Sequence, residues 1–519
     1  MVPPDGPLDR PQEGAETSGS PYYEGLNQQL LAVVPDAASS IVEVGCANGR
    51  LGAALKLDRP DRTVIGVEHD AAAAAAARTR LDEVHEVDLE SALPPIAERS
   101  VDCVVFGDVI EHLRDPLPLL RAARTWLRTG GSIACSIPNT AHHSVVLQLL
   151  RGDLQYERAG LLDETHVRLY TYATTLKLLL EAGFAPDIAD IIEIRGRDHV
   201  VEAAKPLLEQ IGVSPSQAAR HLNAYQYIVT GVPIDYAPGE AEPLTFVVCT
   251  NDDAQLNSNL LSSPCLAPDS PHEVLRYDGM GSAAEGLNRG IREATNDLVV
   301  LLHQDVYLPS WWPAQLRAQW QRAQAGGDVA VAGAFGVRYR EGGRTHVGHV
   351  VDRDHLLAMD TPLPAAVDGL DEMLLVVPKD TDLRLDPALG WHLYGTDIAL
   401  QAHGRGQRAV VLDVPCHHNS LTDGLTDSYG HSESVLARKW PDELPILTNS
   451  STIERDTLAD EVVTLHEEVG ALRLELQSTQ QQLAQVDAQL SERDALITEI
   501  EHTRTWRARN LVNRLRRSR

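Results

Sequence analysis

The stretch Ile41-Val-Glu-Val-Gly-Cys-Ala-Asn-Gly-Arg50 joins a buried-strand pattern to a glycine-rich turn. In the C-terminal half, a second buried-strand pattern at residues 298–302 is followed by His303-Gln-Asp305. Open α/β sheets bind their ligands just beyond the carboxyl ends of parallel strands. The sequence therefore predicts an α/β fold with two nucleotide-type ligand sites, one in each half of the chain.

The composition narrows the class of protein. A chain of 519 residues is too long for a single hydrophobic core, so several domains are expected. The formal net charge of -29 argues against nucleic-acid binding, because phosphates attract basic surfaces. The first twenty residues lack the apolar core of a signal peptide, and no apolar run approaches the ~20 residues that span a membrane. The six cysteines include no C-x-x-C pair, which favours a reduced, cytoplasmic protein.

Strand patterns divide most of the chain into two α/β domains. Residues 1–20 are short of aliphatic side chains and are predicted to be disordered. The first domain, residues 21–235, alternates strand and helix patterns, which indicates a doubly wound, mostly parallel sheet covered on both faces. A turn-rich linker at 236–243 leads to a second doubly wound domain at 244–447. The strand candidates are 41–45, 64–68, 84–87, 102–107, 131–137, 188–194 and 225–232, then 244–249, 273–277, 298–302, 329–335, 373–377 and 409–413.

The C-terminal residues carry a heptad pattern. Between residues 458 and 500, positions at alternating steps of four and three are almost all aliphatic. This pattern predicts a coiled coil at 452–503, and hence a homo-oligomer, with a long single helix as the alternative. The tail at 504–519 has seven arginines and no acid, interleaved with Trp506, Leu511, Val512 and Leu515. That composition predicts peripheral contact with an anionic membrane surface, such as the inner face of the cell membrane, or else a solvated terminus.

Acidic residues at strand ends follow the glycine-rich turn. The dinucleotide fingerprint G-x-G-x-x-G would need a small residue at position 50, so Arg50 argues against a dehydrogenase. Glu68 ends the next strand, where a carboxylate can accept both ribose hydroxyls. Asp88 follows a third strand, where it can meet an adenine amino group. Each acid alone could be a helix cap or a surface charge, but the three elements in order predict a cofactor site.

Over residues 25–235 the chain resembles the class I S-adenosylmethionine-dependent methyltransferases, and this resemblance implies S-adenosylmethionine as the cofactor. It includes the segments 101–113, 127–139 and 166–172. It implies these roles: the methionine part flanked by Glu43, Gly45, Ala47 and Gly49, the ribose bound by Glu68, the adenine by Asp88, and the sulfonium end close to Asp108. Ala47 stands where the family has its middle glycine, a departure that adds only a methyl group.

Two histidines are candidates for the base that methyl transfer to an oxygen or nitrogen requires. These are His112 and His166, which lie within the segments that carry the resemblance. A lone histidine is more often a packing residue, so that alternative stays open for each of them.

Polar residues also mark the strand ends of the second domain. Asp252 and Asp253 follow its first strand, and Asp278 follows the second. Asn288 lies in a predicted helix whose start could face phosphates. Asp305 follows a third strand, where a carboxylate can hold a divalent metal that bridges a diphosphate. Any of these acids could merely cap a helix.

Over residues 244–440 the chain resembles the nucleotide-diphospho-sugar transferases of the GT-A fold, within the inverting family-two group and closest to the subgroup in which H-Q-D replaces D-x-D. The resemblance implies a nucleotide-sugar donor and a divalent metal, Mg²⁺ or Mn²⁺. It implies these roles: donor contacts by Asp252 or Asp253, Asp278 and Asn288, metal ligation by Asp305 and His418, and deprotonation of the acceptor hydroxyl by Asp397. A single metal-binding aspartate, where many relatives have two, leaves metal dependence open.

The two resemblances together predict a bifunctional enzyme of glycan assembly. One domain would methylate a sugar or glycan, and the other would transfer a sugar, with inversion, to a glycan or lipid-linked acceptor. In the alternative, one domain is inactive and only binds glycan, and the coiled coil makes the chain a scaffold for other transferases. The donor sugar, the acceptor and the methylated atom cannot be read from the sequence.

Overall fold

The seven strands predicted between residues 41 and 232 all form, and they lie in one sheet. The computed structural model describes residues 26–194, 198–210, 213–237, 239–340, 343–420 and 427–454. The strand order across this first sheet is β3-β2-β1-β4-β5-β7-β6. The strands are β1 (Ser40–Val44), β2 (Thr63–Glu68), β3 (Glu83–Glu86), β4 (Val101–Gly107), β5 (Leu127–Pro138), β6 (Phe184–Glu193) and β7 (Ala224–Pro233).

The direction of these strands places a ligand crevice at the end of β1. Strands β1 to β5 pair in parallel, whereas β7 runs antiparallel to both β5 and β6. The order reverses between β1 and β4, and such a switch point is where open α/β sheets bind ligands. The glycine-rich turn follows β1 and Asp108 follows β4, so both lie at this point.

Helices cover both faces of the first sheet, as predicted. Successive residues of β4 alternate between two separate hydrophobic clusters, with Val104 and Phe106 in one and Cys103 and Val105 in the other. Such alternation requires an apolar layer on each side of the sheet. The helices are α1 (Gln28–Ala32), α2 (Arg50–Asp58), α3 (Ala71–Ala77), α4 (Leu117–Trp126), α5 (His143–Arg151), α6 (Tyr172–Glu181), α7 (Asp198–Gln210) and α8 (Pro215–Asn223), with a 3₁₀ helix at Ile110–His112.

The six strands predicted in the second domain form a mixed sheet with one short additional strand. Its order is β16-β19-β12-β18-β10-β8-β9. Strands β8, β9 and β10 pair in parallel, and β18 lies antiparallel between β10 and β12. The strands are β8 (Thr245–Thr250), β9 (Glu273–Asp278), β10 (Leu298–Leu302), β12 (Val329–Gly333), β16 (Ala365–Ala366), β18 (Leu374–Pro378) and β19 (Arg408–Val411).

This domain contains a further sheet that was not predicted, because a doubly wound domain has a single sheet. Its order is β11-β20-β14-β13-β17, with β15 paired to β14. Three of its strands have two residues each, too few for a periodic pattern. The strand predicted at 329–335 also divides at Ala334, since β12 and β13 belong to different sheets. The strands are β11 (Val306–Tyr307), β13 (Phe335–Arg340), β14 (Gly343–Asp352), β15 (His355–Ala358), β17 (Gly369–Leu370) and β20 (His417–His418).

The second domain and the residues after it contain five further α-helices among the described residues. They are α9 (Asp253–Ser258), α10 (Ala283–Glu293), α11 (Trp312–Ala325), α12 (Tyr394–Gly404) and α13 (Asp427–Lys439), with 3₁₀ helices at Leu260–Ser262, Pro264–Leu266 and Pro387–Leu389 and short strands β21 (Ile446–Leu447) and β22 (Thr452–Ile453). Residues 427–446 and 452–454 belong to a second compact unit, although the predicted second domain at 244–447 includes the first of these two ranges. No helix in the described ranges is long and apolar enough to cross a membrane. The predictions for 1–20 and for 455–519, which hold nearly all of the coiled coil and the whole tail, lie outside the described residues.

The two α/β domains share a hydrophobic core. Leu180, Ala185 and Ile234 of the first domain are buried in the same cluster as Trp311 of the second. The indole Nε1 of Trp311 donates to the carbonyl of Leu180 at 3.1 Å. Its ring stacks on Tyr236, with the centroids 4.7 Å apart. The predicted linker therefore begins as a packed segment.

Polar contacts extend this interface. The Glu181 carboxylate accepts from the Ser310 backbone N–H at 2.7 Å and also from the Ser310 hydroxyl. Farther along, the Ile188 N–H donates to the carbonyl of Asp354 at 3.1 Å, which joins β6 to the β14–β15 hairpin. The two domains are therefore held in one relative orientation by both apolar and hydrogen-bonded contacts.

Candidate active sites

The turn after β1 has three residues, at alternate positions, with a left-handed backbone conformation. Gly45, Ala47 and Gly49 have φ angles of 72°, 47° and 78°, and helix α2 starts at the next residue, Arg50. The N–H groups of Gly45 and Cys46 donate to the carbonyl of Val67, which ties the turn to the end of β2. Backbone N–H groups at the start of a helix, beside a sheet switch point, suit an anionic or polar ligand.

Ala47 is a strained substitute for the family's middle glycine. The sequence analysis treated it as the addition of a methyl group, but its φ of 47° lies in the left-handed region. That conformation costs a non-glycine residue about 1–2 kcal/mol. The departure is therefore one of backbone conformation as well as of size.

Ala47→Gly is expected to raise the free energy of unfolding by about 0.5–1 kcal/mol, because relief of the left-handed strain outweighs the larger entropy of an unfolded glycine. Urea denaturation followed by circular dichroism measures this change. Ala53→Gly, within α2, is the matched control and should lower stability by roughly 0.5–1 kcal/mol. Equal losses for both variants would contradict the strain at Ala47.

The buried carboxylate of Glu68 holds the turn from the neighbouring strand. Its Oε2 accepts from the Ala47 N–H at 2.8 Å, and its Oε1 accepts from the N–H groups of His69 and Asp70, each at 2.9 Å. The predicted ribose contact would use a carboxylate that is already fixed by three backbone donors. Asp88 lies exposed beyond β3 and accepts from the Glu90 N–H at 3.0 Å.

The Glu43 side chain connects β1 to the start of α2, on either side of the turn. Its Oε2 accepts from the N–H of Gly52 in α2 at 3.0 Å, and the side chain is buried between β1 and that helix. A Cβ on Gly52 would lie 2.7 Å from this oxygen, so only glycine fits. Burial raises the pKa of Glu43 to about 8. Its position makes it a brace for the turn, and the predicted contact with the methionine part of the cofactor stays a prediction.

Asp108 lies at the end of β4 in a left-handed conformation, with φ of 53°. Its Oδ1 accepts from the Ser136 hydroxyl at 3.0 Å and from the Gln226 side-chain amide at 2.9 Å. Burial raises the pKa of Asp108 to about 6. The carboxylate is thus fixed from β5 and β7 at the switch point, and its predicted place beside the sulfonium stays a prediction.

The structure brings the two candidate bases together. The rings of His112 and His166 meet edge to face, with centroids 4.8 Å apart. The Nδ1 of His112 lies 3.2 Å from the carbonyl oxygen of Thr165, and the Nδ1 of His166 lies 3.2 Å from that of Leu161. Burial lowers the pKa of both histidines, so both are mainly neutral at pH 7 and can accept a proton. The carboxylate of Glu111, a residue with no predicted role, is buried beside the two histidines.

In the second domain, Gln304 fixes the segment that follows β10. Its side-chain oxygen accepts from the Thr250 hydroxyl at 2.5 Å and from the Asn251 N–H at 3.1 Å. Its side-chain nitrogen donates to Asn251 Oδ1 at 2.9 Å. The middle residue of His-Gln-Asp thus ties the ends of the adjacent strands β8 and β10 together.

Asp305 and His418 lie side by side, as the resemblance implies for two ligands of one metal. Asp305 Oδ1 is 3.5 Å from His418 Nε2, and His418 Nδ1 is 2.8 Å from Asp352 Oδ1. Burial is the largest single influence and raises the pKa of Asp305, but the charge and polar contact of His418, together with the charge of His303, outweigh it and lower that pKa well below the usual range. Burial alone would lower the pKa of His418, and the two carboxylates raise it instead.

His303 completes this cluster, and the sequence analysis gave it no role. Ligand atoms of His303, Asp305 and His418 all lie within 4.8 Å of one another. The Nε2 of His303 lies 3.0 Å from the hydroxyl of Tyr394. Residues 303–305 form a turn, in which the Val306 N–H donates to the His303 carbonyl at 3.4 Å, so strand alternation in the sequence gave no signal for His303 as a ligand.

The predicted donor-binding residues divide into two groups. Asp253 and Asp278 lie on either side of Arg276, whose guanidinium contacts them at 2.5 and 2.6 Å, on an exposed surface. Asp252 instead caps α9, since its Oδ1 accepts from the N–H groups at positions 254 and 255. Asn288 bonds the backbone of residue 385 with both ends of its amide. Their contacts give Asp252 and Asn288 structural roles, and their nucleotide contacts stay predictions.

The predicted base Asp397 is fully buried in the first turn of α12. Its Oδ2 accepts from the side-chain amide of Gln401 at 2.8 Å. Glu372 is close to the metal-ligand cluster, because its backbone carbonyl accepts from the Tyr394 hydroxyl, which also contacts His303, and because the charge of His418 acts on its carboxyl group. Its side-chain Oε1 accepts from the Leu393 N–H at 3.1 Å. Burial raises the pKa of Glu372 to about 8. Glu372 is therefore a second candidate for proton transfer.

Asn419 connects the second site to the first domain. Its N–H donates to the carbonyl of Asp305 at 2.9 Å, which pairs β20 with the segment after β10. Its side-chain oxygen accepts from the hydroxyl of Tyr172, the first residue of α6, at 2.5 Å. The strand that carries His418 is thus braced by the first domain.

Comparisons with known proteins match the first domain. A family model described as a methyltransferase domain matches residues 22–187. An uncharacterized 37.1 kDa protein in transposon TN4556 of Streptomyces fradiae is 29% identical over 188 residues, which is 35% of this chain and 53% of that protein. A probable S-adenosylmethionine-dependent methyltransferase of Mycobacterium tuberculosis is 32% identical over 152 residues, which is 29% of this chain and 50% of that protein. A solved S-adenosylmethionine-dependent methyltransferase of Thermotoga maritima is 18% identical with a TM-score of 0.28, and the match covers 39% of this chain and 85% of that one.

The N-terminal domain is a class I S-adenosylmethionine-dependent methyltransferase domain. The family match, the relatives and the cofactor crevice at the end of β1 agree on this point. The matched region spans about half the length of each of the two relatives.

Proposed function

We propose that the chain is a bifunctional enzyme of glycan assembly. Its first domain methylates a sugar or glycan with S-adenosylmethionine, and its second domain transfers a sugar from a nucleotide-sugar donor to a glycan or lipid-linked acceptor with inversion. The observation that carries the second activity is the cluster of His303, Asp305 and His418 at the carboxyl end of β10, on a sheet separate from the cofactor sheet.

The residues of this cluster fit a divalent cation. Two imidazoles and a carboxylate form a mixed nitrogen and oxygen set, and Asp305 Oδ1 is buried without a hydrogen-bond partner among the described residues. When bound, the cation supplies charge neutralisation to a diphosphate leaving group. Asp352 orients His418 through its Nδ1, as carboxylates orient metal-binding histidines elsewhere.

The remaining roles in sugar transfer follow the resemblance. Asp253 and Asp278, held around Arg276 at the ends of β8 and β9, bind the donor nucleotide. Asp397 is the proposed base, because an inverting transfer needs one base opposite the leaving group. Its complete burial requires that the acceptor open a path to it, whereas Glu372 already lies beside the cluster. A comparison of Asp397→Asn with Glu372→Gln separates the two candidates.

The roles in methyl transfer follow the crevice at the switch point. The turn from Gly45 to Gly49 holds the cofactor, and Asp108 lies beside its sulfonium. Transfer requires that the acceptor oxygen be held in line with the sulfur–methyl bond. In the simplest scheme, neutral His112 or His166 removes the acceptor proton. Homo-oligomer formation through the predicted coiled coil at 452–503 and peripheral membrane contact by the basic tail at 504–519 complete the proposal for a protein that acts on the cytoplasmic side.

Asp305→Asn is expected to lower sugar transfer by about 100-fold or more, because a metal that stabilises the leaving group contributes several kcal/mol. The assay follows transfer from UDP- and GDP-sugars, with titration calorimetry for binding of S-adenosylmethionine and of each donor. Asp269→Asn, at an exposed position of the same domain, is the matched control and should keep full activity.

The same measurements test the alternatives. S-adenosylmethionine binding should be unchanged in Asp305→Asn, because that residue lies in the other domain. A wild-type chain that binds S-adenosylmethionine but no nucleotide sugar would favour a second domain that only binds glycan. Sugar transfer that survives Asp305→Asn, Asp397→Asn and Glu372→Gln would contradict the proposed site.

A further inference from the structure

A second group of metal-ligand side chains lies in the methyltransferase domain. Ligand atoms of Glu111, His112 and His166 all lie within 4.8 Å of one another. Glu111 and His112 come from the 3₁₀ helix that follows β4, and His166 comes from the segment before α6. Asp108, beside the expected sulfonium position, is three residues from Glu111. The cluster is therefore close to the place where a methyl acceptor has to bind.

The Glu111 carboxylate has no hydrogen-bond partner within the described part of the chain. The residue is 1% exposed, and neither Oε1 nor Oε2 makes a hydrogen bond. The Nε2 of His166 lies 3.9 Å from its Oε1. A buried carboxyl group without partners is costly, so such groups are usually paired or coordinate metals. Both oxygens of Glu111 are thus available to a cation in the cluster.

The two histidines have the tautomer that metal binding requires. A backbone carbonyl can only accept, so the carbonyls of Thr165 and Leu161 favour a proton on Nδ1 of each ring. The Thr165 hydroxyl, 3.1 Å from the Nδ1 of His112, donates to Asp163 Oδ1 at 2.6 Å, so it too acts as an acceptor for His112. The lone pair of each neutral ring is then on Nε2, and the Nε2 of His166 is the atom that faces Glu111. Histidines that bind metals are oriented in this way by a backbone carbonyl or a carboxylate at the other nitrogen.

We propose that Glu111, His112 and His166 bind one divalent transition-metal cation, which coordinates the methyl acceptor. Two imidazoles and a carboxylate suit cations such as Mn²⁺, Co²⁺ or Zn²⁺. Three protein ligands leave some coordination positions of the cation open. An acceptor with two adjacent oxygens can occupy two of these open positions. The histidines then act as ligands and not as the base assumed in the simplest scheme.

The cation would activate the acceptor. A hydroxyl bound to a divalent cation has a lower pKa, so it loses its proton to solvent water near neutral pH. Its oxygen then forms the new bond to the methyl carbon while the carbon–sulfur bond breaks, and the sulfur keeps that electron pair. This step rests on the proposed methylation of a sugar hydroxyl, whereas binding of the cation does not.

The test measures cation binding by the full-length chain without any acceptor. Because His303, Asp305 and His418 form a second candidate site, the Asp305→Asn chain is stripped with chelator and titrated with Co²⁺, followed by its visible absorption. We expect one Co²⁺ per chain at the remaining site. Adding Glu111→Gln should weaken this binding at least tenfold, and Glu98→Gln, at an exposed position of the same domain, should leave it unchanged.

Binding of S-adenosylmethionine by the Glu111→Gln chain checks that the domain is folded. His166→Ala is the second variant, and it should shift the Co²⁺ spectrum because one nitrogen ligand is lost. Absence of Co²⁺ binding in the Asp305→Asn chain, or equal affinity after Glu111→Gln, would overturn the proposal. Bound cation without methylation of any sugar would leave this site in place and contradict the proposed acceptor class.

Discussion

Gly45→Ala is expected to weaken S-adenosylmethionine binding by about 100-fold. A Cβ at this position would lie 2.2 Å from Cγ2 of Val109, and the φ of 72° already disfavours any side chain. Left-handed strain costs about 1–2 kcal/mol and overpacking about 1–3 kcal/mol. In the free protein the turn is expected to shift and relieve these costs, so cofactor binding has to restore the strained shape of the turn. A cost of about 2.8 kcal/mol is a 100-fold loss, because 1.4 kcal/mol corresponds to a factor of ten in affinity. Titration calorimetry on the folded variant measures it.

Two further variants separate crowding from strain. Gly130 has a similar φ of 82°, but a Cβ there would meet nothing within 4 Å. Gly130→Ala should therefore leave cofactor affinity unchanged and cost only backbone strain. Val109→Ala in the Gly45→Ala background removes the colliding methyl group and should restore part of the affinity. Full affinity in Gly45→Ala would mean that the turn does not hold the cofactor.

Trp311→Ala is expected to lower the free energy of unfolding by about 3–5 kcal/mol, the usual range for a buried tryptophan. The side chain is 7% exposed, donates a hydrogen bond across the domain interface and stacks on Tyr236. Its removal leaves a cavity between the two domains and removes one hydrogen bond to a carbonyl of α6, which the Gly183 N–H still contacts at 2.9 Å. The two proposed activities should therefore decline together in this variant. Guanidinium denaturation of the full-length chain measures the loss of stability.

Trp391→Ala is the matched control, because Trp391 lies in the same domain and is 42% exposed. It should change the free energy of unfolding by less than about 1 kcal/mol. A similar small effect for Trp311→Ala would mean that the domains contribute little to each other's stability. Loss of sugar transfer with intact methyl transfer would mean that only the second domain depends on this contact.

The hydrogen bond between Tyr172 and Asn419 links the domain interface to the proposed sugar-transfer site. Asn419 follows His418, a proposed metal ligand, and its backbone pairs with Asp305. Its side chain bonds a tyrosine of the methyltransferase domain. The geometry of the proposed sugar-transfer site therefore depends in part on a residue in the other domain.

The strands were predictable because each one is a short, nearly continuous apolar segment between turn residues. That pattern follows from burial on both faces of a sheet and needs no tertiary information. The sheet with β13, β14 and β15 was missed because its strands are short or partly exposed, so they lack that pattern. The antiparallel direction of β7 was also not predictable, because the spacing of apolar residues is the same for parallel and antiparallel strands that are buried on both faces.

The glycine-rich turn and the acids at strand ends were visible as residue types, but their partners were not. Asp252 and Asn288 have the chemistry of donor ligands, yet the fold uses them to cap α9 and to bond the backbone near residue 385. Ala47 looked like a small change until its backbone angle was known. Whether a polar side chain contacts a ligand or the backbone depends on which groups lie within about 3 Å of it in the folded protein. The amino-acid sequence alone does not give those distances.

The sequence by itself determined two α/β domains, a cofactor turn at the end of the first strand and a His-x-Asp segment at the end of a later one. Apolar periodicity and glycine positions encode these features locally. Only the tertiary structure brought His166 beside Glu111 and His112, His418 beside His303 and Asp305, and Trp311 beside α6. These contacts join residues that are tens to more than a hundred positions apart, and they arise when packed sheets and helices bring distant strand ends and loops to one place.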